Sequence, residues 1–368
     1  MPSTSDRVRN LMEQSGLDLD AFAERADLEA TQLAESLSGV SPFSVGDLAS
    51  IAEAFDVSMD FLLTGAEPPL AVAARTTTGE AAQAIEAARE YTSRRADLGT
   101  LGYPQPWRPV TKKVLAIGSY KARGESLAQV ALEEVARRSH SISEGDLAEL
   151  IEDVFGADVA VVQHSDGFDG LTGTTDDAKL ILLAATSAPA RQRFTLAHEL
   201  GHLLAGDNQS VHLDRDIFAP AQKRDPSEQC ANAFASAFLM PEDTLRGAIK
   251  ATGLSRESFA TLACELMVSP TSLAYRMLHL RMVDSGMCDR FKRMTAVEAA
   301  ELAGRGEEFD RRTRLSQQPR LPGLLARDTL AAYKAGKSTL RPYATLLGID
   351  VDELRNRIET EQRTGGVA

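Results

Sequence analysis

Two histidines and a glutamate stand within five residues, at His198-Glu199-Leu200-Gly201-His202. Residues four apart on an α-helix share a face, so His198 and His202 can hold one tetrahedral metal ion. Glu199 follows the first histidine and can face a water at that ion. Zinc lowers the pKa of such a water toward ~7, and a carboxylate can take its proton during attack on a carbonyl. The spacing predicts one Zn2+ per chain with Glu199 as general base.

A helix must carry these groups. Ser187 and Pro189 supply its start and Gly206 its stop. Thr195, His198, Glu199 and His202 form a polar stripe, and Leu196, Leu200, Leu203 and Leu204 cover much of the rest. Such a helix is largely buried. Buried polar groups without partners are costly, so a stripe of two histidines and a glutamate needs a bound partner.

Catalytic zinc takes three protein ligands and keeps one position open. No third histidine follows at close spacing. Glu228 opens the next helix, Asp225-Pro226-Ser227-Glu228, and Asn232 lies one turn on, placed to orient a ligating histidine. Glu228 reads equally well as a first-turn acid favoured by the helix dipole. Tyr275, Arg276, His279 and His212 are candidates for a transition-state donor, and the sequence does not choose among them. Arg191 and Arg193 read equally as anchors of the helix start and as substrate contacts.

Stepping along the chain, residues 6–64 read as short helices with tight turns. Residues 67–120 read as a linker with one helix, 80–95, set among prolines and glycines. Helical patterns fill 126–138, 146–155, 189–205, 226–239, 256–267 and 270–282, and β-branched runs at 159–163 and 179–184 read as strands. Strands followed by helices predict an α+β core rather than a parallel α/β sheet. The last 80 residues are helical and rich in arginine. Thr329–Gly336 with Leu340–Ile349 faintly repeats Gln32–Gly39 with Val45–Phe55.

Arg191-Gln-Arg-Phe-Thr-Leu-Ala-His-Glu-Leu-Gly-His-Leu-Leu204, Glu228-Gln-Cys-Ala-Asn-Ala-Phe-Ala235 and Phe238-Leu-Met-Pro241 resemble the ImmA/IrrE metallopeptidases over about 125–285. The resemblance implies a zincin-like fold and makes Glu228 the third zinc ligand. Cys230 departs from it, since many relatives carry an acid there. It also implies site-specific cleavage of a regulatory protein, such as a helix-turn-helix repressor, in stress or mobile-element control. Residues 6–64 resemble the Xre-type helix-turn-helix. The domains expected are 1–66 helix-turn-helix, 67–120 linker, 121–285 peptidase and 286–368 a basic helical region, read as a second helix-turn-helix if the repeat holds.

Charge separates these regions. The net charge is −13 overall. Residues 1–66 carry 12 acidic and 3 basic side chains, and residues 290–368 carry 11 and 15. The expected recognition helix, Glu29–Leu37, has no Lys or Arg, so protein docking is expected of it rather than DNA binding. Arg327, Lys334, Lys337 and Arg341 are the candidate DNA contacts, or else a solvated basic face. The three cysteines lie far apart without a CxxC pair, which excludes a disulfide framework and predicts a reducing, cytoplasmic setting. No apolar run could span a bilayer, and Met1–Asn10 does not read as a secretory signal. The partners expected are a repressor or a toxin encoded nearby. A rival reading is an antitoxin or transcriptional regulator that binds its partner without cleaving it. Oligomeric state stays open, a dimer included.

Overall fold

In a computed structural model, residues 3–15, 17–26, 28–55, 62–63, 81–110, 119–143, 145–163, 168–206, 211–214 and 225–364 are described. The chain divides into two compact units, Met1–Thr78 and Gly79–Ala368.

The first unit contains α1 (Thr4–Ser15), α2 (Leu19–Arg25), α3 (Ala30–Ser38) and α4 (Val45–Ala54). Asp18 caps α2, and Ser44 with Asp47 closes a capping box on α4. Val8, Phe22, Leu33 and Ile51 meet in its core, with Phe22 stacked on Phe55 at 4.1 Å. Glu29, Gln32 and Glu35 are exposed on or beside α3, and the Gln32 amide donates to Asp47. None of the described residues of α3 is a cation. The short helix expected at 59–63 lies mostly outside the described residues.

The second unit begins with α5 (Ala81–Thr100), α6 (Tyr120–Arg137) and α7 (Leu147–Phe155). Strands β1 (Asp158–Val162), β2 (Gly170–Thr174) and β3 (Lys179–Ala184) follow, then α8 (Pro189–Ala205) and β4 (Val211–Asp214). The sheet order is β1-β3-β2-β4. β1 and β3 are parallel, whereas β2 is antiparallel to both β3 and β4. Helices α9 (Pro226–Leu239), α10 (Glu242–Thr252), α11 (Arg256–Leu266) and α12 (Pro270–His279) complete the core, consistent with an α+β fold.

Two close approaches set the helix positions. A Cβ at Gly124 of α6 would stand 2.2 Å from the Cys230 carbonyl oxygen of α9. A Cβ at Gly201 of α8 would stand 3.0 Å from the Phe234 ring. Glycine at both positions lets α9 lie tight between α6 and α8.

α5, which falls within the expected linker, belongs to the second unit. Arg95 of α5 is 1% exposed and donates to Asp158 of β1 and to Asp328. Gln105 continues the tie, donating to Asp158 and accepting from the Lys179 backbone at 2.5 Å. A buried guanidinium must find its carboxylates, and these pull the helix onto the sheet. The remainder of the linker, 67–80 and 111–118, lies outside the described residues.

The chain beyond 285 stays within the same compact unit. After α13 (Ser285–Phe291), α14 (Ala296–Leu302) and α15 (Gly306–Ser316), Arg320 pairs with Val161 through two 2.9 Å backbone hydrogen bonds. The Arg320 side chain is held by Glu152. Asp328 lies on α16 (Gly323–Lys334), so α16 packs against α5 and β1. Then come α17 (Arg341–Leu347) and α18 (Val351–Thr364). Among the described residues, no helix is long and apolar enough to cross a membrane.

Candidate metal centre

α8 runs over the expected residues. Pro189 sits in its first turn, and Gly206 ends it in the left-handed region at φ 69°. His198, Glu199 and His202 are 0%, 0% and 2% exposed. α9 begins at Pro226 behind Asp225, whose side chain accepts from the backbone of Ser227 and Glu228. This cap points the first turn of α9 at α8, and Glu228 is 2% exposed.

His198 Nε2 and His202 Nε2 are 3.0 Å apart. The Glu228 carboxylate lies 3.5 Å from the first and 3.4 Å from the second. A tetrahedral ion bound at about 2.0–2.1 Å has ligand–ligand edges of about 3.4 Å. The three groups therefore fit one metal ion, and they are the one such cluster found among the described residues. Burial would raise the Glu228 carboxyl, but hydrogen bonds and charge from His198 and His202 overcome this. They hold it well below the ordinary carboxylate range.

The sequence did not reveal what holds these groups. Ser227 Oγ lies 3.2 Å from His202 Nδ1 and so fixes the ring from behind. Thr172, central in β2, donates a short hydrogen bond to Glu199 Oε2. Gly170 of the same strand leaves room for the carboxylate. A Cβ there would stand 2.6 Å from Thr195 Cγ2 and 2.8 Å from Glu199 Oε1. Two glycines in β2 mask its strand character, and so they hid its role.

Other expected residues lie elsewhere. Asn232 makes no hydrogen bond among the described residues. It lines a recess of α9 with Glu125, Arg276 and His279, whereas the hydroxyl beside His202 Nδ1 is that of Ser227. Arg276 is bound to Glu125 at 2.5 Å and to the Met240 carbonyl, and His279 is 3.2 Å from Glu125. Tyr275 is 52% exposed beneath Lys292. All three are engaged away from the cluster. For His212, only its backbone place on β4 opposite Thr172 is described. Arg191 contacts Asp169 at 2.5 Å, an anchor of the helix start.

The candidate DNA contacts are divided in the same way. Lys337 donates to the Leu101 carbonyl and lies over the Tyr103 ring, and Arg327 pairs with Asp328. Lys334 and Arg341 are exposed. Lys337 is thus exposed but engaged with the segment after α5, and a neighbouring carboxylate offsets Arg327.

Residues 158–278 match the IrrE N-terminal-like domain, a peptidase family. The chain is 35% identical over 97 residues to the radiation response metalloprotease IrrE of Deinococcus radiodurans, an alignment covering 26% of this chain and 30% of that relative. It is 28% identical over 215 residues to the protein of the same name from Deinococcus deserti, covering 50% of this chain and 75% of that relative. The first match thus spans under a third of the relative's length.

Proposed function

We propose that this chain, which carries an ImmA/IrrE-family metallopeptidase domain over residues 158–278, is a zinc-dependent, site-specific endopeptidase. Its substrate is a regulatory protein, a helix-turn-helix repressor being the expected kind, and its site of action is the cytoplasm. The observation that carries this reading is the buried His198–His202–Glu228 triangle with Glu199 beside it. Two imidazoles and one carboxylate in tetrahedral geometry favour zinc over harder or larger ions.

His198, His202 and Glu228 would hold the zinc, which when bound supplies a Lewis acid for the scissile carbonyl and a water of lowered pKa. Glu199 takes the proton of the attacking water and can return it to the leaving amine. Thr172 keeps the Glu199 carboxyl in one orientation throughout. Ser227 keeps His202 in one ring orientation. The near-complete burial of these groups strengthens every charge interaction among them.

The test compares wild type with Glu199→Gln for metal content and for cleavage of the repressor-like product of a neighbouring gene. Stoichiometric zinc in both, with cleavage by wild type alone, is the expected result. Zinc in both with tight partner binding and no cleavage by either would overturn the peptidase reading. Absence of metal would overturn the site itself.

A further inference from the structure

A cavity of about 540 Å³ lies beside the amino-terminal turn of α8, between α7, β1 and β3 on one side and α11, α14 and α15 on the other. Its volume falls within the ~300–1,000 Å³ usual for small-molecule sites. Leu147, Leu196 and Val268 form buried apolar wall, and exposed Ser143, Asp146 and Gln318 mark its rim.

Its charge is one-sided. Arg193, Arg305, Arg311, Arg312 and Arg320 line it, against Asp146 and Glu308. Arg320 is held by Glu152, while Arg305 and Arg312 share Glu308. Neither Arg193 nor Arg311 has a carboxylate within ion-pair distance among the described residues. Arg193 donates to the Ile142 carbonyl, but its buried Nε has no hydrogen-bond partner. A buried guanidinium N–H without an acceptor is costly. Burial first, and the neighbouring Arg312 second, push its pKa down to about 10 against the opposing pull of Asp146. The first turn of α8 borders the cavity without a side-chain cap and adds the positive end of its helix dipole, whereas the α7 end is capped by the Asp146 carboxylate.

We propose that this cavity binds a small organic anion, a phosphate or carboxylate borne on an apolar group, with the half-buried Arg193 as its ion-pair partner and Arg311 at the rim. Arg193 precedes His198 by five residues. It therefore lies about 7.5 Å along α8 and roughly 140° around it from the metal cluster. The ligand touches the metal-bearing helix from another face, which is the position of an effector rather than of a substrate. The proposal does not rest on the peptidase reading, because binding is measured without cleavage.

The experiment is a calorimetric titration of the full-length, metal-loaded protein with phenyl phosphate, using benzyl alcohol as the neutral control. It is repeated on Arg193→Met and on Ala299→Phe, which fills the cavity from its wall. One saturable site for phenyl phosphate is expected in wild type, at least tenfold tighter than benzyl alcohol and at least tenfold weakened in Arg193→Met. Slowed hydrogen exchange at 145–148 and 189–196 would place the ligand. Thermal unfolding reports separately on folding. If Ala299→Phe does not fold, Arg311→Met takes its place with a smaller expected loss. Absence of saturable binding, or equal affinity in wild type and Arg193→Met, would overturn the proposal. So would binding that only His198→Ala abolishes, since phenyl phosphate would then sit at the metal cluster.

Discussion

Thr172 and Glu199 are joined across the interface of β2 and α8 by a short hydrogen bond from hydroxyl to carboxylate. The sheet thereby sets the orientation of the group expected to move protons. Thr172→Val keeps the side-chain volume and removes the donor. We expect cleavage to fall by about 10- to 100-fold, below the ~10²–10⁴ that a general base contributes in full. Zinc content should be unchanged. A variant with wild-type turnover would show that the carboxylate is held by something else.

Gly170 should tolerate no side chain. A Cβ collides with both Thr195 and Glu199, which lie in the stretch Thr195–Leu203 where every residue of α8 is buried, so neither can retreat. Gly170→Ala is expected to lose cleavage more completely than Thr172→Val and to lower stability by about 1–3 kcal/mol through overpacking. Assay and thermal melt together separate the two effects.

Ser227 supports His202 from behind, so its removal should show in metal affinity before it shows in chemistry. Ser227→Ala is expected to weaken zinc binding by about 10- to 100-fold. Competition with a chromophoric chelator reads this directly. At saturating zinc, activity should recover, and failure to recover would assign Ser227 a further role.

The metal helix was legible because its spacing, its leucines and its end signals agree. α8 and α9 run over the expected residues, Pro189–Ala205 and Pro226–Leu239. What stayed hidden depends on long-range packing. β2 reads Gly-Leu-Thr-Gly-Thr, a pattern poor in β-propensity, yet pairing on both edges makes it a strand. Asn232 has the right helical spacing from Glu228, but α6 and α12 meet α9 along its side of the helix. Arg95 sits in an alanine-rich run that reads as a linker, and its carboxylates are 63 and 233 residues away in sequence.

That arginine makes α5 part of the second unit. Removing it leaves Asp158 and Asp328 buried without their counter-charge. Arg95→Ala is therefore expected to cost about 3–5 kcal/mol, as for other broken buried pairs. A fragment covering 121–285 alone lacks both α5 and α16, and it should be less stable than one covering 79–368. Urea unfolding of each protein checks this, and equal midpoints would return α5 to the status of a tether.

The same network makes stability depend on pH in a predictable direction. Burial raises the Asp158 carboxyl from 3.8 to about 6, against the opposing pull of Arg95 and the Leu325 amide. Between those values the folded chain holds a proton that the unfolded chain has released. The contribution of this group is thus full below about pH 4 and is lost as pH rises through about 6. A shift of about two units corresponds to about 3 kcal/mol at most. Glu228 acts in the opposite sense, because its pKa is lowered on folding, so the wild-type curve alone mixes the two. Asp158→Asn separates them, since the amide can still accept from Arg95 but does not titrate. The stability difference between wild type and Asp158→Asn should move in favour of wild type as pH falls from 7 to 4. A difference that stays constant over that range would mean that Arg95 keeps Asp158 ionised in the folded protein.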